Sequence, residues 1–178
     1  MSSLRKRAPR RFGRGAPQQP AREPARAADP GEIGAAAVAL LGRRDFCSAE
    51  LRSKLVAQGY EPAAVDTVIA DLVAQRFVDD VRYAAQFVSY HADRGHGPKR
   101  IARDLAAVGV DEALIPAALA EGPDWRQRAR EVRIRRFGLD APANWAEKGR
   151  QARFLQYRGF SADHIRSALG PDLDVDDD

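Results

Sequence analysis

Cysteine occurs once in this 178-residue chain, as Cys47, so no intrachain disulfide can form. That fits a reducing compartment. Long hydrophobic runs are missing as well. No stretch of 18 apolar residues occurs, so no helix is expected to span a membrane. The basic start has no apolar segment close enough behind it to act as a secretory signal. Histidine is scarce: His91, His96 and His164 are the three copies. The first two stand around a glycine turn with no cysteine or third donor close by in the sequence. A zinc site usually collects four donors at tight spacing, so neither a metal nor any other cofactor is expected. Gly95-His96-Gly97 lacks the lysine and the flanking strand of a phosphate-cradling loop. Cys47 has no neighbouring base to activate it. Asp79-Asp80 reads as a helix cap followed by a first-turn carboxylate, both favoured at a helix start. No catalytic set is left among these residues. Strand-like alternation of apolar and polar residues is also absent.

What the sequence does contain is a repeat. Gly59, Gly109 and Gly159 are 50 residues apart, and the same columns surround each. The first copy sets Leu51, Leu55, Tyr60, Val65 and Ile69 about Gly59. The second sets Ile101, Leu105, Val110, Ile115 and Leu119 about Gly109, and the third sets Gln151, Leu155, Phe160, Ile165 and Leu169 about Gly159. Gln151 is the one polar residue in an otherwise apolar set. A period near 50 points to a helical array whose modules share a core and which works as a surface.

Cap and stop signals divide each copy into three helices. Asp29, Pro30 and Glu32 read as N-cap, N1 and N3 of the first helix. Ser48 reads as a cap, Gly59 as a stop, and Glu61-Pro62 as the next start. Asp79 or Asp80 opens the second copy, Pro98 its short helix, and Asp111 caps its last. Pro123 opens the third copy, Asn144 and Glu147 are spaced as N-cap and N3, and Ser161 caps the final helix. The expected fold is therefore all-α: a tandem array of three three-helix repeats, elongated and curved. The units are expected at 29–78, 79–122 and 123–171.

Charge is uneven. Residues 1–30 hold eight Arg and Lys against Glu23 and Asp29, and residues 171–178 hold five aspartates. Residues 1–28 read as a disordered basic arm and 172–178 as a frayed acidic tail. Within the folded part, cations cluster at Lys99, Arg100 and Arg103, at Arg126, Arg130 and Arg133, and at Lys148, Arg150, Arg153 and Arg158. Trp125, Ala129 and Val132 define the inward stripe of their helix, which places Arg126, Arg130 and Arg133 along one flank. Such groups are candidates to neutralise phosphates or to meet a protein partner. Tyr83, Phe87, Trp125 and Phe154 read as core aromatics.

Four segments together resemble the RecX family, bacterial regulatory proteins that modulate the recombinase RecA. They are Ser48 to Tyr60 with its Leu51, Leu55 and Gly59; Arg76 to Val88 with Asp79, Asp80, Tyr83 and Phe87; Gly97 to Val110 with Pro98, Ile101, Leu105 and Gly109; and Arg153 to Ile165 with Leu155, Gly159, Phe160 and Ser161. The resemblance covers about residues 33–170 and leaves the basic arm outside. It implies a cytoplasmic, non-enzymatic protein of tandem three-helix units. Such a protein binds a RecA-type recombinase or its nucleoprotein filament and restrains it, with single- or double-stranded DNA as a further partner. The competing reading is a stand-alone DNA-binding protein that acts by competition for DNA. Oligomeric state is not legible.

Overall fold

The computed structural model describes residues 29–170; the expected basic arm and acidic tail lie outside the described residues. Among these there are nine helices and no strand: α1 (Pro30–Leu41), α2 (Ser48–Ala57), α3 (Pro62–Ala74), α4 (Asp80–Asp93), α5 (Pro98–Ala107), α6 (Ile115–Ala120), α7 (Trp125–Phe137), α8 (Trp145–Arg158) and α9 (Ala162–Leu169). The all-helical expectation holds.

The repeated glycines end helices, as the stop signal at Gly59 suggests, by turning left-handed. Gly59, Gly109 and Gly159 have φ of 96°, 90° and 94°, a region that side chains disfavour. The following amides then turn back. Tyr60, Val110 and Phe160 donate to the carbonyls of Leu55, Leu105 and Leu155 at 3.4, 3.2 and 3.1 Å. This is the six-to-one closure of a helix end.

The starts are more varied. Asp79, Asp124, Asn144 and Ser161 each accept an amide hydrogen from the first turn of the helix that follows. Asp29 occupies the N-cap of α1, but its carboxylate makes no cap bond. Three starts depart from expectation. Ser48 is the first residue of α2 rather than its cap, because both its donors turn elsewhere. Its amide and hydroxyl reach the Asp80 carboxylate at 2.7 and 2.5 Å. Asp111 does not cap α6. Its carboxylate accepts from the Ala113 amide at 2.9 Å and stabilises a separate turn, so α6 begins only at Ile115. Likewise α7 starts after Pro123, with Asp124 as its cap.

Three cores result, one per helix triplet. Ile33, Leu51, Leu55, Val65 and Ile69 anchor the first; Ala84, Val88, Ile101, Leu105 and Ile115 the second; Ala129, Val132, Leu155 and Phe160 the third. Leu51, Leu55, Ile101, Leu105 and Leu155 are wholly enclosed. Burying such a side chain stabilises by roughly 1.5–3 kcal/mol.

The joints between units repeat too. The Cys47 thiol donates to the Val108 carbonyl at 3.3 Å, and 50 residues later the Gly97 amide donates to the Arg158 carbonyl at 2.8 Å. In both cases the start of a middle helix sits on the glycine turn of the next unit. The Lys99 amide adds a bond to the Gly159 carbonyl at 3.0 Å. Trp125 packs against both the second and third cores. The pattern stops at the third unit. Glu147 is the position equivalent to Cys47 and Gly97, but α8 starts at Trp145 and encloses it. Its amide already bonds the Asn144 side chain at 2.9 Å.

Asp80 therefore fastens the first unit to the second. Asp80→Ala is expected to lower stability by about 1–3 kcal/mol, through the loss of two charge-assisted bonds to the start of α2. Urea unfolding measures this; a midpoint equal to that of the parent chain would show that the Ser48–Asp80 contact is not made in solution.

Candidate nucleic-acid interface

The ten candidate cations fall into different surroundings. Lys99, Arg100 and Arg103 occupy the first two turns of α5, whose start is docked on the Gly159 turn. They therefore face the third unit across a cleft of about 590 Å³, lined also by Gln156, Tyr157 and Arg166. Lys99 is exposed and Arg100 half-buried, while the side chains of Arg103 and Arg166 are each 75% exposed. Asp104 lies 3.5 Å from Arg100 and 3.7 Å from Arg103, and Asp163 lies 3.2 Å from Arg166. An exposed pair such as Arg166–Asp163 stabilises by roughly 0–1 kcal/mol and is screened by salt. The four cations outnumber these two carboxylates, so the cleft suits a polyanion. Tyr157, 80% exposed, stands at its edge.

Arg126 adjoins the same face. It is exposed and shares a second hollow with Arg166, Asp163 and Ser167. His164 reports both groups. Burial, then the charge of Arg126 and, more weakly, Lys99, holds its pKa below the ordinary histidine range. Arg130, one turn beyond Arg126 on α7, is exposed as well.

Arg133 corrects the flank assigned from sequence. It is 5% exposed and donates through Nε to the Gln151 side-chain oxygen at 3.0 Å and through Nη2 to the Asp140 carbonyl. The reason is helical geometry: Arg133 stands one turn after Ala129, which is fully enclosed. Gln151, the polar exception in the repeat, is its buried partner. Lys148 is similarly enclosed at 9% exposure, with its ammonium 5.1 Å from the centre of the Trp145 ring.

The remaining cations point to other surfaces. Arg158 donates to the Arg94 carbonyl at 3.2 Å and lies over the Phe154 ring. It lines a separate hollow of about 130 Å³ with Arg94, Arg135 and Arg136. Arg150 is 3.5 Å from Glu147, and Arg153 is exposed on α8. Two members of the cleft, Arg166 and Tyr157, escaped the sequence reading. Both lie beside core columns, Ile165 and Leu155, and only the packing of α5 on the Gly159 turn brings them to Lys99.

No nucleophile emerges at Cys47: burial raises its thiol pKa and its hydrogen is committed to Val108. The expectation that His91 and His96 lack a third donor needs correction, since α5 brings Asp104 beside them.

Comparison with known proteins adds an independent line. Models of the first, second and third three-helix domains of RecX match residues 35–72, 79–119 and 124–169. The chain is 42% identical over 144 residues to the regulatory protein RecX of Halorhodospira halophila, covering 80% of this chain and 89% of that one. It is 39% identical to the Pseudomonas fluorescens protein of that name, covering 78% and 90% respectively. A crystal structure of RecX from Lactobacillus salivarius shares the fold, with a TM-score of 0.68 at 21% identity over 76% of this chain and 91% of that one.

Proposed function

The chain belongs to the RecX family of regulatory proteins, and on that premise we propose that it binds a RecA-type recombinase or its filament on DNA and restrains its activity in recombination and repair. The observation that carries this reading is the ordered set of three family domains across the described residues. The basic cleft between the second and third units supports a filament as the target, since a filament offers DNA phosphates beside protein surface. The protein acts on this reading as a non-enzymatic cytoplasmic regulator, with unit boundaries at 29–78, 79–122 and 123–171. Among the described residues no helix is long and apolar enough to cross a membrane.

A simpler mechanism, competition for DNA without contact to the recombinase, would use the same cleft. The two differ in stoichiometry. A regulator is expected to inhibit the DNA-stimulated ATPase of a RecA-type recombinase at concentrations too low to coat the DNA. Inhibition that begins only when the DNA is saturated would favour the competitor.

A further inference from the structure

We propose that His91, His96 and Asp104 form a binding site for a divalent transition-metal ion of the zinc class. The three residues come from the end of α4, the turn after it and the second turn of α5. One ligating atom from each lies within 4.8 Å of the other two. The Nδ1 atoms of His91 and His96 are 3.2 Å apart. Two imidazole nitrogens on a tetrahedral zinc, at about 2.0–2.1 Å from the metal, stand about 3.3 Å from each other. The histidine pair is thus spaced as a chelate before any ion arrives.

Packing fixes that spacing. The His96 amide donates to the His91 carbonyl at 3.1 Å. Gly95 holds a φ of 79° against Val132, and a side chain on Gly97 would meet the Gly159 backbone at 2.4 Å. The turn that carries His96 is therefore clamped from both sides. Phe87 lies against His91, with ring centres 4.1 Å apart and planes tilted by 32°, and limits its rotation.

The chemistry matches a borderline metal ion. Burial, opposed by the Asp104 charge and reinforced by that of Arg100, holds the pKa of both imidazoles below the ordinary histidine range, which favours the neutral, ligating form. Two imidazoles and one carboxylate suit zinc and its neighbours, whereas magnesium and calcium require mostly oxygen. Asp104 is loosely held, 3.5 Å from Arg100 and 3.7 Å from Arg103. Arg100 Nε has no hydrogen-bond partner. Both arginines line the basic cleft, so an ion that takes Asp104 leaves them free for an anion.

The test is zinc titration of the chelator-treated full-length chain by calorimetry, with NMR of the histidine rings. One zinc ion per chain is expected. The ring signals of His91 and His96 should shift until one equivalent is added, while those of His164 stay in place. His91→Gln, His96→Gln and Asp104→Asn should each raise the zinc Kd at least tenfold, and magnesium should give no signal. NMR on the unsubstituted chain keeps the test decisive if a variant fails to fold. The proposal is overturned if the two ring signals do not move, if His164 alone responds, or if zinc affinity is unchanged in folded variants.

Discussion

Gly159→Ala is expected to lower the free energy of unfolding by about 2–5 kcal/mol, and Gly59→Ala by about 1–2 kcal/mol, although the two glycines occupy the same repeat position. Both hold positive φ, which costs about 1–2 kcal/mol once a side chain is present. Their surroundings differ. A Cβ on Gly59 meets nothing within 4 Å, whereas one on Gly159 would lie 2.4 Å from the Arg100 Cβ and 2.6 Å from its backbone nitrogen. Backbone cannot step aside as a flexible side chain does, so the docked start of α5 must lift from the turn. Overpacking of this kind adds about 1–3 kcal/mol. It should also strain the Lys99–Gly159 bond that closes the joint. Gly109→Ala should resemble Gly159→Ala, because its Cβ would stand 2.7 Å from that of Ala49. Urea denaturation of the three variants checks the ordering. Equal losses at all three positions would mean that the joints are open in solution and that only backbone strain is felt.

The difference between Gly59 and Gly159 shows where sequence reading reaches and where it stops. A positive φ is a local matter, legible from a helix pattern that ends at glycine. The columns of Leu51, Leu55, Leu105 and Leu155 are legible for a similar reason, since a 3.6-residue period reports directly on burial. Long-range partners leave no such trace. Ser48 looks like a cap, and only the approach of α4 reveals that Asp80 takes both its donors. Arg133 looks like a flank cation because charged side chains are nearly always solvated. It is enclosed because Gln151 and the Asp140 carbonyl satisfy it. The two apparent exceptions, a polar residue in an apolar column and a cation beside an inward stripe, are each other's partners. Asp104 reaches the histidines by the same kind of non-local packing, as Arg166 reaches Lys99.

Charge reversal of Lys99, Arg103 and Arg166 to glutamate is expected to reduce inhibition of a RecA-type recombinase at least tenfold while leaving the fold intact. All three are exposed, so the substitutions remove no core contact. Arg133 is unsuitable for such a test, because reversing a buried, bonded charge would unfold the third unit. Each lost phosphate contact should flatten the salt dependence of duplex binding by about 0.9 in log–log slope. Deletion of residues 1–28 should act differently. Residues 1–28 carry eight Arg and Lys against Glu23 alone, so their loss should weaken binding to bare DNA and flatten its salt dependence. Most of the inhibition should remain, because shape complementarity to a filament does not depend on the arm. The two variants therefore separate the sources of positive charge. Affinity for bare DNA and inhibition of the recombinase ATPase should fall out of proportion to each other between them. Strict proportionality in both variants would sink the regulator reading and leave competition for DNA as the mechanism.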